Sequence, residues 1–424
     1  MTETIKDITD VIKLYRENRN LYSVTIEITS FCNWRCEHCY ISEYNQKGFD
    51  LDTFRNLLVQ LRELGTFEIV FTGGEVFAHP FAMKYIKIAR EMFFNVIIYS
   101  NVSMLNEQRI AILSDLYIDY ISCTIFSMDK EIHDQITNKK GSLERCLHNL
   151  ELLKKFDILV EVKTPLFLQN INSIDKVYDF CKKNNFKYKV DTQIVPRRGT
   201  IGNEVRVKSL TLKQLIPIQK KIDEINGVTF VHKNENFLTC SSVQLSLYIT
   251  CLGAVQPCSL YSRSIGNIYL TPIREIWNRS AFNKIAKYTL KNSKNCSTCA
   301  ISNYCTQCPG IALSESGDSR NCSTICKKNS FSKEYSLCRF ILNRCVGIFS
   351  LIWFLVVFPM SALPCYPISL RNWLGGIIKS PCMVTAWRCC AIWVATISRC
   401  VWIGSRQFSF PLILKMTGFI RFWS

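Results

Sequence analysis

The chain has 424 residues, 22 of them cysteine, and a formal net charge of +18. That length supports two or three domains around a large buried core. The charge divides in two: residues 339–424 hold nine Lys and Arg and no acid, leaving 43 basic and 34 acidic side chains interspersed over the first 338 residues. No basic stripe gathers there, which argues for a solvated surface and against nucleic-acid binding. Residues 1–10 are polar and acidic and lack the basic-then-apolar run of a secretory signal. A reducing cytoplasm is therefore the expected compartment, where clustered thiols read as metal ligands rather than disulfides.

Short apolar runs alternate with helical periodicity from residue 22 to 195. Strands are expected over 22–29 (YSVTIEIT), 67–72 (FEIVFT), 95–100 (NVIIYS), 118–126, 158–164 and 187–195. Helices are expected between them, over 51–64, 80–93, 107–114, 143–155 and 171–184. This repetition predicts parallel βαβ units, and six of them suit an α/β fold of the partial (β/α)6 TIM-like barrel kind, with functional loops after the C-terminal strand ends. After Pro196 the rhythm stops. A basic loop (197–208), a helix (211–225) and a linker or short strand (227–235) follow. From Cys240 to Cys326 the chain is loop-rich and dense in cysteine, with little apolar core, and is expected to need metal to fold.

Beyond residue 338 the composition changes. Six of the eight tryptophans lie there, and Arg outnumbers Lys seven to two, against 15 to 28 before it. Residues 346–363 are uncharged and apolar, marginally long enough to cross a membrane. Two readings stand: a membrane tail, or a C-terminus unrelated to the rest. The expected division is an N-terminal extension (1–21), a core barrel (22–200), a connecting helix and linker (201–235), a cysteine-rich domain (236–338) and the atypical tail (339–424).

Cys32, Cys36 and Cys39 lie in FCNWRCEHCY, directly after the first strand. Spacings of three and two residues let one loop wrap three thiolates around three irons of a 4Fe–4S cluster, leaving the fourth iron open to a reactant. Zinc with His38 as a fourth ligand, and buried unliganded thiols, are the plainer alternatives. Gly73, Gly74 and Glu75 in FTGGEVF end the second strand, where paired glycines permit a tight turn and close backbone approach to a ligand. Ser100 and Asn101 end the third strand, and Ser127 and Asp129 follow the fourth; strand-end or helix-cap roles are open to all four. A second thiol-rich region holds Cys240, Cys251, Cys258, Cys296, Cys299, Cys305, Cys308, Cys322 and Cys326. The run from Cys296 to Cys308 taken alone also reads as a zinc ribbon. Cys123, Cys146 and Cys181 lie on strand or helix patterns and read as small core residues. His79, His133, His148 and His232 read as structural.

These motifs carry a resemblance. FCNWRCEHCY is similar to the C-x3-C-x2-C signature of the radical S-adenosylmethionine (radical SAM) superfamily. GGEV resembles its GGEP element with Val76 for proline, and YSN its Thr-Asn-Gly with Val102 in place of the glycine. The stretch SMDKEIHDQITNKKGS resembles a segment that contacts cofactor ribose and carboxylate in relatives, with Thr137 where many carry arginine. The resemblance implies that Cys32, Cys36 and Cys39 hold a 4Fe–4S cluster whose open iron binds S-adenosylmethionine. It also implies cofactor contacts from Gly73, Gly74, Glu75, Ser100, Asn101, Ser127 and Asp129. The expected chemistry is reductive cleavage of the sulfonium to a 5′-deoxyadenosyl radical, which removes hydrogen from a substrate.

The later cysteines resemble the SPASM domain of this superfamily, with CLGAVQPCSLY followed by GNIYLTPIREIW. The last quartet spaces its third and fourth cysteines by two residues, where relatives have three. By the resemblance, Cys240, Cys258 and Cys308 hold one auxiliary 4Fe–4S cluster, with Cys251 a candidate for the ligand missing from its usual place. Cys296, Cys299 and Cys305, with Cys326 or Cys322, hold the other. The resemblance covers residues 22–330, and the activity it implies is radical modification of a peptide or protein: crosslinking, epimerisation or oxidation. Implied partners are that substrate, an electron donor such as flavodoxin or ferredoxin, and a separate peptide-recognition protein or the barrel itself, since residues 1–21 are short for a leader-binding domain. Membrane contact is expected only through a genuine 339–424 tail. The alternatives are an enzyme of small-molecule cofactor biosynthesis and a non-catalytic iron–sulfur or zinc scaffold.

Overall fold

The computed structural model describes residues 7–199, 207–228, 233–305 and 307–335. The expected tail (339–424) and His232 lie outside them. The described residues belong to one compact unit, Met1–Ser336.

Helix α1 (Ile8–Glu17) precedes strand β1 (Ser23–Glu27). Five strand–helix repeats follow: α2 (Leu51–Glu63), β2 (Glu68–Thr72), α3 (Ala82–Glu91), β3 (Asn95–Tyr99), α4 (Glu107–Asp115), β4 (Tyr120–Thr124), α5 (Lys130–Thr137), α6 (Ser142–Lys155), β5 (Val160–Pro165), α7 (Ile174–Asn184) and β6 (Lys187–Asp191). After α8 (Leu212–Asn226) come β7 (Ser246–Ile249), β8 (Ala254–Gln256), β9 (Gly266–Asn267), α9 (Ile273–Trp277), α10 (Ser280–Ala286) and α11 (Pro309–Ser316). Residues 324–335 are again helical.

Strands β1 to β6 lie side by side in chain order and all pair in parallel, as a partial (β/α)6 barrel requires. Residues of alternating parity enter the core: Val24 and Ile26, Ile69 and Phe71, Val96 and Ile98, Ile121 and Cys123, Val160 and Val162, Tyr188 and Val190. The period of two sends the intervening residues to the opposite face, and this is why polar Glu27, Thr72, Tyr99, Ser122 and Lys163 line up there. The helices cover the apolar face. Helix α2 buries Phe54, Leu57, Leu58 and Leu61, an i, i+3, i+4, i+7 stripe, and Asp50 Oδ1 caps it by accepting from Thr53 N at 2.7 Å. Cys123, Cys146 and Cys181 are buried core residues, as expected.

Strand β7 extends this sheet rather than starting another. It pairs in parallel with β1, Ser23 opposite Ser246, and β8 and β9 continue antiparallel beyond it. The cysteine-rich region thus grows out of the barrel's first strand. Among the described residues no helix is long and apolar enough to cross a membrane; the apolar run 346–363 is not among them.

Candidate active site

Strand β1 delivers the chain to the Cys32–Cys39 loop at the C-terminal end of the sheet. The loop is held by backbone groups of α5: Arg35 N donates to Thr137 O and Glu37 N to Ile136 O, each at 3.0 Å. Thr137 therefore supports the loop with its carbonyl, while its hydroxyl bonds back to His133 O at 3.0 Å. Cys39 N donates to Cys36 O at 3.1 Å, and Trp34 N points at Cys32 Sγ from 3.4 Å. Trp34 is buried and packs edge-on against His133, ring centroids 5.8 Å apart.

All three thiols line one open cleft of about 850 Å3, counting its mouth. Burial pushes the Cys32 thiol up to about 12 and Cys36 well above the ordinary range, and the charges of neighbouring thiolates add to both shifts. A nearby cation offsets such shifts, and bound iron supplies one. Among the described residues no three Cys, His, Asp or Glu side chains converge on one point as a mononuclear zinc site requires. A 4Fe–4S cube asks for a different arrangement, with each thiolate on its own iron. Cys32, Cys36 and Cys39, all lining this cleft, are the three thiolates that such a cluster takes.

The two glycines are needed for close approach. Gly74 N donates to Thr29 O at 2.9 Å and Glu75 N to Phe31 O at 2.8 Å, stitching the β2 end to the cysteine loop. A Cβ on Gly73 would sit 2.6 Å from Thr29 O, and one on Gly74 2.4 Å from the carbonyl oxygens of both Ser30 and Phe31. Both glycines line the cleft, as do Ser100 and Asn101.

Glu75 does not line it. Its buried carboxylate accepts from Phe77 N at 3.0 Å, Ser100 Oγ at 2.6 Å and Asn101 N at 2.7 Å, so it joins the β2 end to the β3 end. Asn101 in turn donates to Asn33 Oδ1 at 2.8 Å, within the cysteine loop. Val102 holds φ 56°, a backbone state that suits glycine better than a β-branched residue, and is fully buried. Ser127 and Asp129 also lie off the cleft lining. Ser127 Oγ accepts from Asp129 N and meets Ser173 Oγ, both at 2.9 Å, while Asp129 Oδ1 caps α5 by accepting from Glu131 N at 3.0 Å. In the chain itself these three side chains brace the strand ends: Glu75 joins β2 to β3, Ser127 meets Ser173, and Asp129 caps α5.

Other lining residues were not singled out by the sequence reading: Tyr40, Tyr44, Thr72, Tyr99, Ser122, Thr124, Phe126 and Lys163. The available signal was polarity at the inward position of strand ends. Lys163 Nζ lies 3.9 Å above the Tyr99 ring and 3.2 Å from Glu161 Oε1. His38 also lines the cleft, its Nδ1 buried without a hydrogen-bond partner among the described residues, and burial lowers its pKa to about 4. It is neutral at physiological pH.

In the cysteine-rich region two thiol groups emerge. Cys308 is electrostatically coupled to Cys258 and Cys240. Cys296 is coupled most strongly to Cys322, then to Cys305, Cys299 and Cys326. Cys326 stands between the groups, coupled first to Cys308 and accepting that residue's backbone N–H. Cys308 thus responds to Cys258 and Cys240, where the zinc-ribbon alternative groups it with Cys296, Cys299 and Cys305. Cys251 joins neither group. Its thiol donates to Glu27 Oε1 at 3.0 Å, on the barrel side of β7.

The family model described as "Radical SAM superfamily" matches residues 26–181, and the SPASM model, described as "Iron-sulfur cluster-binding domain", matches residues 240–309. The chain is similar to the antilisterial bacteriocin subtilosin biosynthesis protein AlbA of Bacillus subtilis (strain 168), 26% identical over 299 residues, 67% of this chain and 66% of AlbA. It thus spans just under two thirds of that relative. It is also similar to the AdoMet-dependent heme synthase of Methanosarcina barkeri, 22% identical over 322 residues, 69% of this chain and 92% of that protein. Among solved structures, Streptococcus suis SuiB bound to precursor peptide SuiA superposes with a TM-score of 0.58 at 14% identity, covering 77% of this chain and 83% of SuiB, a likeness of fold.

Proposed function

We propose, from the premise that this chain belongs to the radical SAM superfamily and carries a SPASM domain, that it cleaves S-adenosylmethionine reductively and modifies a peptide or protein substrate. The observation that carries the cofactor half is the convergence of Cys32, Cys36, Cys39, Gly73, Gly74, Ser100 and Asn101 on one cleft at the C-terminal strand ends. The peptide half is supported by the likeness to AlbA, a bacteriocin biosynthesis protein.

Cys32, Cys36 and Cys39 would hold the catalytic 4Fe–4S cluster, and when bound with S-adenosylmethionine that cluster supplies the electron that breaks the sulfonium bond. The chain's own part is positioning. The unsubstituted backbone of Gly73 and Gly74 lets a ligand approach the β2 end. Ser100 and Asn101 are fixed by Glu75, so their groups meet a ligand already oriented. Trp34, Tyr40 and Phe126 wall the cleft with apolar surface that excludes water from a reactive species. Lys163 brings a cation to the cleft wall, beside Glu161.

Two auxiliary clusters fit the remaining thiols. Cys240, Cys258 and Cys308 with Cys326 would hold one, and Cys296, Cys299 and Cys305 with Cys322 the other. Cys326 is coupled to both sets, but it also accepts the backbone N–H of Cys308, and the first thiol acting on Cys296 is Cys322; these two relationships support this division.

The likeness to a heme synthase across 92% of that protein supports a second reading, radical chemistry on a small-molecule precursor. The test is anaerobic co-expression with each small open reading frame neighbouring the gene, followed by mass spectrometry of the products. A mass change in one encoded peptide, lost when Cys36 is replaced by Ala, supports peptide modification. Unchanged peptides together with active cofactor cleavage favour the small-molecule reading.

A further inference from the structure

A second pocket lies at the opposite end of the sheet from the cleft. It holds about 590 Å3, counting its mouth, and is lined by α1, the turn before β7, α9 and α10. Tyr22 N and Ser23 N, at the start of β1, both donate to Leu245 O just before β7, at 2.8 and 3.1 Å. Trp277 Nε1 donates to Arg19 O at 2.8 Å. The pocket is therefore built at the N-terminal strand ends, where barrel folds of this kind carry no chemistry.

Its composition is specific. The floor is apolar, made by Val243, Trp277 and Phe282, all nearly inaccessible. The rim is cationic: Arg16, Arg19 and Lys287 are exposed, and none has an ion pair or side-chain hydrogen bond among the described residues. No acidic side chain lines the pocket. Other exposed cations on the surface do pair with acids, as Lys13 does with Glu17 and Lys294 with Asp318. Three cations left facing one apolar depression call for an anionic partner with an apolar anchor.

We propose that this pocket docks an acidic segment of the peptide substrate, an apolar side chain entering against Trp277 and Phe282 while flanking carboxylates meet Arg16, Arg19 and Lys287. The proposal rests on the peptide-modifying reading and adds where the unmodified part of the substrate is held. A five-residue strand at about 3.3 Å per residue separates the two ends of the sheet by about 17 Å, so docking here leaves the modified residue free to reach the cleft on a flexible linker. Tethering of this kind raises the substrate's effective concentration at the cleft without adding contacts there.

The test uses the full, reconstituted chain and a fluorescent peptide alternating Glu with Leu and Phe, with a Lys-for-Glu peptide as control. Wild type should bind the Glu peptide in a salt-sensitive way and ignore the Lys peptide. Arg16→Glu with Arg19→Glu should weaken binding by at least about tenfold. Arg16→Lys with Arg19→Lys should retain most of it. Lys182→Glu with Lys183→Glu, on the exposed side of α7, makes the same charge change elsewhere and should leave binding intact. Each variant should keep its iron content and 5′-deoxyadenosine formation. Equal loss in the α7 variant, no loss in the pocket variant, or displacement of the peptide by inorganic phosphate alone would overturn the proposal. If wild type makes no 5′-deoxyadenosine, the enzymatic reading fails instead, and the two failures remain distinct.

Discussion

Arg198 grips Glu27 with both terminal nitrogens, Nη1 to Oε1 at 3.1 Å and Nη2 to Oε2 at 2.7 Å. Glu27 is fully buried on β1, five residues before Cys32. Tyr248 on β7 donates to the same carboxylate, and Cys251 completes the set. Arg198 N also donates to Tyr40 O at 2.7 Å, and its guanidinium stands 5.2 Å over the Tyr40 ring, beside Cys39. One ion pair therefore joins the barrel's first strand, the cysteine loop, the segment after β6 and the strand that begins the cysteine-rich region.

Breaking this pair from one side should be costly, since it strands a buried charge. Arg198→Met is expected to lose about 3–5 kcal/mol of stability, and adding Glu27→Gln should recover roughly half of that. Thermal unfolding of the reconstituted proteins checks both. The pair also sets an acid limit. Burial raises the Glu27 carboxyl, but Arg198, Tyr248 and Cys251 outweigh it and hold it below the ordinary carboxylate range. Its contribution is present above that range and is lost as pH falls through the lowered value. Wild type should accordingly lose more stability on acidification than Glu27→Gln/Arg198→Met.

Gly74→Ala should remove the catalytic cluster while sparing the others. The added carbon meets two backbone oxygens at 2.4 Å, neither of which can swing aside. Iron content is expected to fall by about four atoms per chain. A variant that reconstitutes fully would show that the glycine approach is not needed.

Cys251→Ser should keep all its iron, near twelve atoms per chain for three four-iron clusters. The thiol serves Glu27, and a hydroxyl can donate in its place. Cys326→Ala should perturb the cluster signal of the Cys240, Cys258 and Cys308 set, and Cys322→Ala that of the other set. Paramagnetic resonance of the reduced variants separates the two.

The strand–helix rhythm was legible because each β-strand carries apolar residues at alternating positions and each helix a stripe such as Phe54, Leu57, Leu58 and Leu61. The cysteine loop and the glycine pair were legible because their spacing is local. What escaped was non-local. The pairing of Ser23 with Ser246 joins residues more than two hundred apart, and no local pattern announces it. Glu27 gave a faint sign, an acid within the apolar strand YSVTIEIT, but its partner Arg198 lies in a loop of mixed character. Helix α5 was overlooked because SMDKEIHD was read for its polar groups, whereas Asp129 there is an N-cap.

The tail admits a simple check. The compact unit ends at Ser336, and all the proposed cluster ligands precede it. A chain ending there is expected to be more soluble than the full one and to keep its cofactor-cleaving activity, because residues 339–424 bring apolar surface and no acids. Fractionation and turnover of both forms decide. Loss of clusters on truncation would make the tail part of the fold, and membrane recovery of the full chain alone would make it an anchor.

The most direct measurement is 5′-deoxyadenosine formation by anaerobically reconstituted protein given dithionite and S-adenosylmethionine. Wild type should form it, and Cys36→Ala should not, while retaining the iron of its auxiliary clusters. Undiminished product from Cys36→Ala, or none from a fully loaded wild type, would contradict the assignment of Cys32, Cys36 and Cys39 as the catalytic centre.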